Sequence, residues 1–492
     1  MTLQLKLSTS WTQVALVAML VLASSAQASS TLQLTDCRLE SANSRGAISA
    51  RCGWFEVAED RTAANGKSIR IHVAIIPALR RQPLPDPVFV ISGGPGQAAS
   101  DFYLSSYQAF EMLRRDRDIV VIDQRGTGKS QRLDCNFPDE LETASFDRDV
   151  QQRYTRECLK NLTGDPRFYT TSVAVHDLDE IRAALGYAKI NLYGISYGTR
   201  VVQHYLRRYP GQVRAAVLDG VVPVETILGP EIAPAAQRSL DAILLRCANQ
   251  PECSHAFPNL RNEFESLQTR LEHGPVAILI PDPRTAVPTA VSFTEMHLAV
   301  AVRLLSYSDD TASLLPLLIH ETAQGRPQVM AAQALMVARS IGDQVANGMH
   351  NAVVCTEDVP FISDTALSDP AIEHSYLGRV ITDSLQASCA VWPRGILDSD
   401  FHTPLHSDVP TLLLSGENDP VTPSSFGEAA LKSYSRGKHL VFAGQGHGQL
   451  NSHCGTKLIK GFIESLSVES LAGCVSHVVP TPFMLNANGP AP

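Results

Sequence analysis

Three residues, spread over a chain of 492, have the types that acyl transfer uses: Ser196 in Gly194-Ile-Ser-Tyr-Gly198, Asp419 in Glu417-Asn-Asp-Pro-Val-Thr-Pro423, and His447 in Gly444-Gln-Gly-His-Gly448. A serine hydroxyl alone is a weak nucleophile. It requires a base to take its proton and an acid to orient that base and stabilise its charged form. Each residue alone has a plainer reading, since G-x-S-x-G fixes only three positions, and an aspartate before proline or a histidine among glycines is commonly a turn or loop residue. Their order, serine then acid then histidine, each just beyond an apolar run, gives the set its meaning. Glu417 is the reserve acid, two positions from Asp419.

Such a serine must sit on a tight turn between a strand and a helix, with small neighbours because side chains there would meet the serine backbone. INLYGI before it is strand-like, TRVVQHYLRRYP after it is helix-like, and Gly194 and Gly198 flank it. The reaction also requires hydrogen-bond donors for the developing oxyanion. The backbone amide of Tyr197 is one; the other is expected from Ser92-Gly-Gly-Pro-Gly96, with Gly94 favoured and Gly93 next. A plain glycine turn is the alternative for that segment. Asp123-Gln-Arg-Gly-Thr-Gly-Lys-Ser130 ends like a phosphate-binding loop but has Asp123 where such a loop requires glycine, so a structural role for Asp123 and Arg125 is expected instead.

The elements that must carry these residues are short apolar runs at 69–77, 88–92, 118–123, 190–196, 213–221, 411–416 and 439–444. Several are apolar throughout, as in parallel strands covered on both faces, and helical patterns such as 171–186 lie between them. The expectation is an α/β fold with a mostly parallel central sheet, helices on both faces, and a large, mainly helical cap inserted between sheet strands. The expected divisions are an export signal at 1–28, a first core part at 29–224, the cap at 225–406, a second core part at 407–480 and a mobile tail at 481–492.

Residues 1–28 read as a signal because Lys6 precedes an apolar core, Val14 to Ala23, and a small-x-small site, Ala26-Gln-Ala28. An uncleaved anchor is the alternative, but the apolar run falls short of the ~20 residues a span requires. Ten cysteines fit an oxidising compartment, and pairing them in succession closes short loops, although spacing does not fix connectivity. No C-x-x-C spacing suggests zinc or thiol redox chemistry. A net charge of -9 without long basic blocks makes nucleic acid or an anionic membrane surface an unfavourable partner. The mature chain is therefore expected to be secreted or periplasmic, without stable membrane association, and to need no metal or organic cofactor.

GGPG at 93–96, DQRG at 123–126, GISYG at 194–198, DPVTP at 419–423 and the GxGHG run at 444–448 together resemble the α/β-hydrolase serine peptidases related to proline iminopeptidase and the secreted tripeptidyl aminopeptidases. The resemblance runs from about residue 50 to 476 and includes a late cysteine pair like Cys454 and Cys474. Ser92 stands where proline iminopeptidases commonly carry histidine, which favours the tripeptidyl aminopeptidase-like branch. The resemblance implies an exopeptidase acting on oligopeptides, with Ser196, Asp419 and His447 as its triad. It also maps a substrate-ammonium receptor onto Glu357, or alternatively Asp358, in Ala352-Val-Val-Cys-Thr-Glu-Asp-Val-Pro360. Two adjacent acids on a solvated loop is the plainer reading of that pair. Rival functions are a small-ester esterase with the same triad and a non-catalytic binding protein on the same scaffold.

Overall fold

The computed structural model describes residues 1–2, 32–40, 46–63, 65–135 and 146–490. The expected export signal lies, beyond its first two residues, outside the described residues. Nine strands form one sheet: β1 (Thr35–Leu39), β2 (Ile48–Ala58), β3 (Ser68–Ile76), β4 (Val88–Ile91), β5 (Ile119–Ile122), β6 (Ile190–Ile195), β7 (Val213–Asp219), β10 (Thr411–Gly416) and β11 (Gly437–Phe442). Their spatial order is β1-β2-β3-β5-β4-β6-β7-β10-β11. The first three strands and β5 pair antiparallel, and all pairs from β5 to β11 are parallel.

The all-apolar runs form the centre, where VFVI of β4 and IVVI of β5 are buried at every position. Helices cover both faces, as such runs require. On one face Val175, Leu178 and Ile181 of the helix Thr171–Ala184 pack with Val201 and Tyr205 of the helix Tyr197–Arg208. On the other, Phe102, Phe110 and Leu113 meet Leu458 and Phe462 of the helix His453–Ser465. The chain leaves β4 for β5, then crosses back to β6 on the opposite side. The carboxyl ends of β4 and β6 therefore flank a topological switch point, the place where open α/β sheets bind ligands.

Between β7 and β10 the chain builds a second body of helices with its own core, in which Leu240, Phe264, Leu298, Val302, Ile319 and Met330 are buried. It also contains an antiparallel hairpin, β8 (Val276–Pro281) and β9 (Pro288–Phe293), in a region expected to be mainly helical. The tail, expected to be mobile, is held at its start. Thr481 bonds Asp309 at 2.8 and 2.9 Å, Phe483 is buried in the insertion's core, and the Arg246 guanidinium lies 3.8 Å from its ring centroid. An aromatic ring that can bury its area against an apolar cluster outweighs the polar residues around it.

Five disulfides pair the cysteines in succession, Cys37–Cys52, Cys135–Cys158, Cys247–Cys253, Cys355–Cys389 and Cys454–Cys474, as befits an oxidising compartment. Among the described residues no helix is long and apolar enough to cross a membrane, and no group of three or more His, Cys, Asp or Glu side chains is placed to hold a metal ion.

Candidate active site

Ser196 stands between β6 and the helix Tyr197–Arg208 with φ 56° and ψ -127°, a conformation that non-glycine residues rarely hold. The surrounding packing enforces it. A Cβ on Gly194 would lie 2.6 Å from Gly198 O, and one on Gly198 would lie 2.5 Å from Ile91 O, so both glycines are required by contact. The Ser196 amide donates to Asp219 O at 2.9 Å, which fixes the turn to the end of β7.

The histidine arrives from the other side of that strand end. His447 Nδ1 lies 2.7 Å from Asp419 Oδ2 and 3.1 Å from Thr422 Oγ1, and Thr422 Oγ1 donates to the same carboxylate at 2.7 Å. Asp419 Oδ1 accepts from the amides of Val421 and Thr422, so its carboxylate is fully engaged. Burial opposes charge on His447, but the Asp419 carboxylate, its hydrogen bond and Asp219 outweigh it, raising the imidazole above its ordinary pKa. A Cβ on Gly220 would come within 2.9 Å of His447 Cε1, so the imidazole lies directly against the residue after Asp219. The Ser196 hydroxyl has no hydrogen-bond partner among the described residues. Glu417, the reserve acid, instead accepts from the Gly444 amide at 2.8 Å.

The GGPG loop flanks the serine. A Cβ on Gly93 would lie 2.9 Å from Ser196 Cβ, and Gly94, the exposed glycine of the pair, holds φ 107°. Neither the Gly94 nor the Tyr197 amide has an acceptor among the described residues. The Tyr197 ring is buried, its hydroxyl 2.6 Å from Thr171 Oγ1 and 3.2 Å from Gln124 Nε2. Asp123 and Arg125 are both fully buried. Asp123 accepts from the amides of Ser100 and Lys129, and Arg125 grips Asp177 at 2.6 and 2.8 Å. Asp123 thus occupies a loop amide, that of Lys129, that a phosphate would need.

Glu357 and Asp358 are both fully buried, and each accepts hydrogen bonds from protein groups. Glu357 accepts from Thr171 N at 2.7 Å and Thr171 Oγ1 at 2.9 Å. Asp358 takes Arg200 Nη1 on both oxygens at 3.0 Å and the Leu228 amide at 2.8 Å. Burial pushes the Glu357 carboxyl up to about 8, against the pull of Arg200. These bonds tie the insertion to the helices around Ser196.

Sequence reasoning missed two residues that the site brings in. Asp219 accepts the Tyr193 hydroxyl at 2.8 Å and the amides of Gln449 and Leu450 at 2.8 to 3.0 Å, so it binds the loop just past His447 to the strand that holds Ser196. An acid directly after the apolar run 215–218 was the available signal. Tyr307 comes from the insertion. Its carbonyl accepts the His447 amide at 2.7 Å and its ring meets the imidazole edge-on at 5.2 Å. The insertion also reaches the GGPG loop, where Ala346 N donates to Gly96 O at 2.9 Å and Val345 bridges to Gln97.

A mostly parallel sheet with a serine elbow at its switch point defines an α/β hydrolase. Residues 86–256 match the family model described as alpha/beta hydrolase fold, and residues 374–473 the one described as TAP-like protein. Serine protease Hip1 of Mycobacterium tuberculosis is 26% identical over 457 residues, 85% of this chain and 85% of that protein. Tripeptidyl aminopeptidase of Streptomyces lividans is 31% identical over 189 residues, 35% of each chain. Proline iminopeptidase of Neisseria meningitidis is 28% identical over 144 residues, 29% of this chain and 35% of that one. The fold is the α/β-hydrolase fold, and the similarity to these peptidases supports a serine hydrolase of that fold.

Proposed function

We propose that the chain is an exported serine aminopeptidase that cuts oligopeptides near their free N-terminus. The observation that carries this reading is the His447–Asp419 bond at the sheet rim, beside the strained serine of the elbow. The aminopeptidase assignment draws on the TAP-like match and the peptidase relatives, and export on the five disulfides and the N-terminal sequence.

In this reading Ser196 Oγ attacks the scissile carbonyl. Asp419 and Thr422 occupy His447 Nδ1, leaving Nε2 to take the serine proton and return it to the departing amine. The Gly94 and Tyr197 amides receive the oxyanion, and water then releases the acyl group from Ser196. Catalytic hydrogen bonds often tighten only when substrate binds, so the serine–imidazole contact is expected to close in the complex.

The test is a panel of aminoacyl and tripeptidyl anilides, each with a free or an acetylated N-terminus. Turnover is expected on the free-amine members, with a loss of about tenfold or more on acetylation, the worth of one charge-assisted contact. Equal rates on both forms would exclude an aminopeptidase and leave an esterase-like hydrolase.

A further inference from the structure

His447 is held by two parts of the chain at once. Its side chain bonds the core through Asp419 and Thr422, but its backbone bonds the insertion, because Tyr307 O accepts the His447 amide at 2.7 Å. The preceding residue is fitted to the same segment. A Cβ on Gly446 would collide with Tyr307 O and lie 3.0 Å from Ser306 O, so a side chain there would push the loop off the insertion. Tyr307 also sets its ring edge-on to the imidazole, 5.2 Å between centroids. Arg303, near the end of the helix Glu295–Leu305, pins that ring by donating from Nη2 to the Tyr307 hydroxyl at 3.0 Å. The His447 side chain is 9% exposed while Tyr307 is half-buried, which puts the ring between imidazole and solvent.

The bond from Nδ1 to Asp419 fixes one point of the imidazole; a second contact is required to fix its plane. An edge-to-face aromatic neighbour supplies that contact, and a misplacement of about 1 Å at a reacting group can cost ~100-fold in rate. The same ring keeps water from the imidazole, which disfavours its charged form. Burial is the largest influence on the charge of His447 and opposes it, as does Arg303, whereas Asp419 and Asp219 favour it.

We propose that Tyr307 is a positioning residue for His447: its ring fixes the plane of the imidazole and shields it from water, so the insertion sets the turnover of the site as well as covering it. This rests on the serine-hydrolase reading of the triad and holds for a peptide or an ester substrate alike.

The experiment follows two rates between pH 5 and 9, hydrolysis of a chromogenic ester and labelling of Ser196 by a fluorophosphonate. Tyr307→Ala is expected to lower kcat about tenfold or more with little change in KM. The loss should be greater at pH 6 than at pH 8, because an imidazole opened to water keeps its proton to higher pH. Labelling should slow in parallel. Tyr307→Phe, which keeps the ring and gives up only the bond from Arg303, should recover most of the rate and the wild-type pH profile. Tyr307→Leu, which keeps apolar volume, replaces the alanine variant if that variant melts at a lower temperature. A loss of equal size at every pH, a rise in KM alone, or a phenylalanine variant as impaired as alanine overturns the proposal. Wild-type protein that the fluorophosphonate does not label fails the triad reading and this proposal with it, whereas labelling without turnover of peptides fails only the peptidase assignment.

Discussion

At the sheet rim Asp419 is buried yet shares its carboxylate with an imidazole that keeps a second nitrogen for chemistry. In the insertion Glu357 and Asp358 are buried as deeply, but every partner they have is a fixed part of the protein. The first arrangement leaves one proton-transfer site open; the second directs its hydrogen bonds to holding the insertion in place. A buried acid near an active centre is thus read by its partner's spare capacity and not by its own burial.

Removing the rim's chemistry should have the largest effect: Ser196→Ala is expected to lower hydrolysis by about four orders of magnitude or more while the melting transition stays put. If the insertion acids are attachments, Asp358→Ala should instead act on stability, costing about 3–5 kcal/mol in denaturant unfolding because it strands the buried Arg200 charge. Loss of activity without loss of stability in that variant would erase the contrast. Asp219→Asn lies between the two. It weakens the link between the elbow and the histidine loop, and a displacement of that loop should lower kcat on the order of 10- to 100-fold with little change in KM.

The smallest effect belongs to Glu357→Gln, and its signature is a dependence on pH. Folded Glu357 keeps its proton up to about 8, whereas the unfolded carboxyl releases it near 4.5. The folded state then binds more protons across that window, so its stability falls as pH rises through it. Melting temperatures of wild type and Glu357→Gln should be close at pH 5 and diverge by pH 9, with the glutamine variant the more stable. A constant offset at every pH would show that the side chain is ionised throughout.

The rim was legible in sequence because its signals are local: each catalytic candidate follows its own apolar strand within a few residues. Of the sheet, β3 and the strands after it were read from their apolar runs, but β1 and β2 were not. In ISARCGWFEVA exposed and buried positions alternate, and Trp54 and Glu56 face outward, so no continuous apolar run marks the strand. The hairpin β8–β9 escaped for a related reason, since most of its side chains are exposed. The bonds of Glu357 and Asp358 to Thr171 and Arg200 were not legible because those partners lie 186 and 158 residues away. Chain-local patterns cannot report pairings made only by the tertiary fold.

The backbone link between Ala346 and Gly96 carries a constraint of another kind. A Cβ on Gly96 would come within 2.7 Å of the Ala346 carbonyl, so neither segment can shift without the other. Insertions or deletions between the helices Gln328–Gln344 and Asn347–Glu357 would therefore disturb the turn that carries Gly94 before they altered any substrate contact. A chimaera that borrows this helical body from a relative would have to import its own glycine turn along with it.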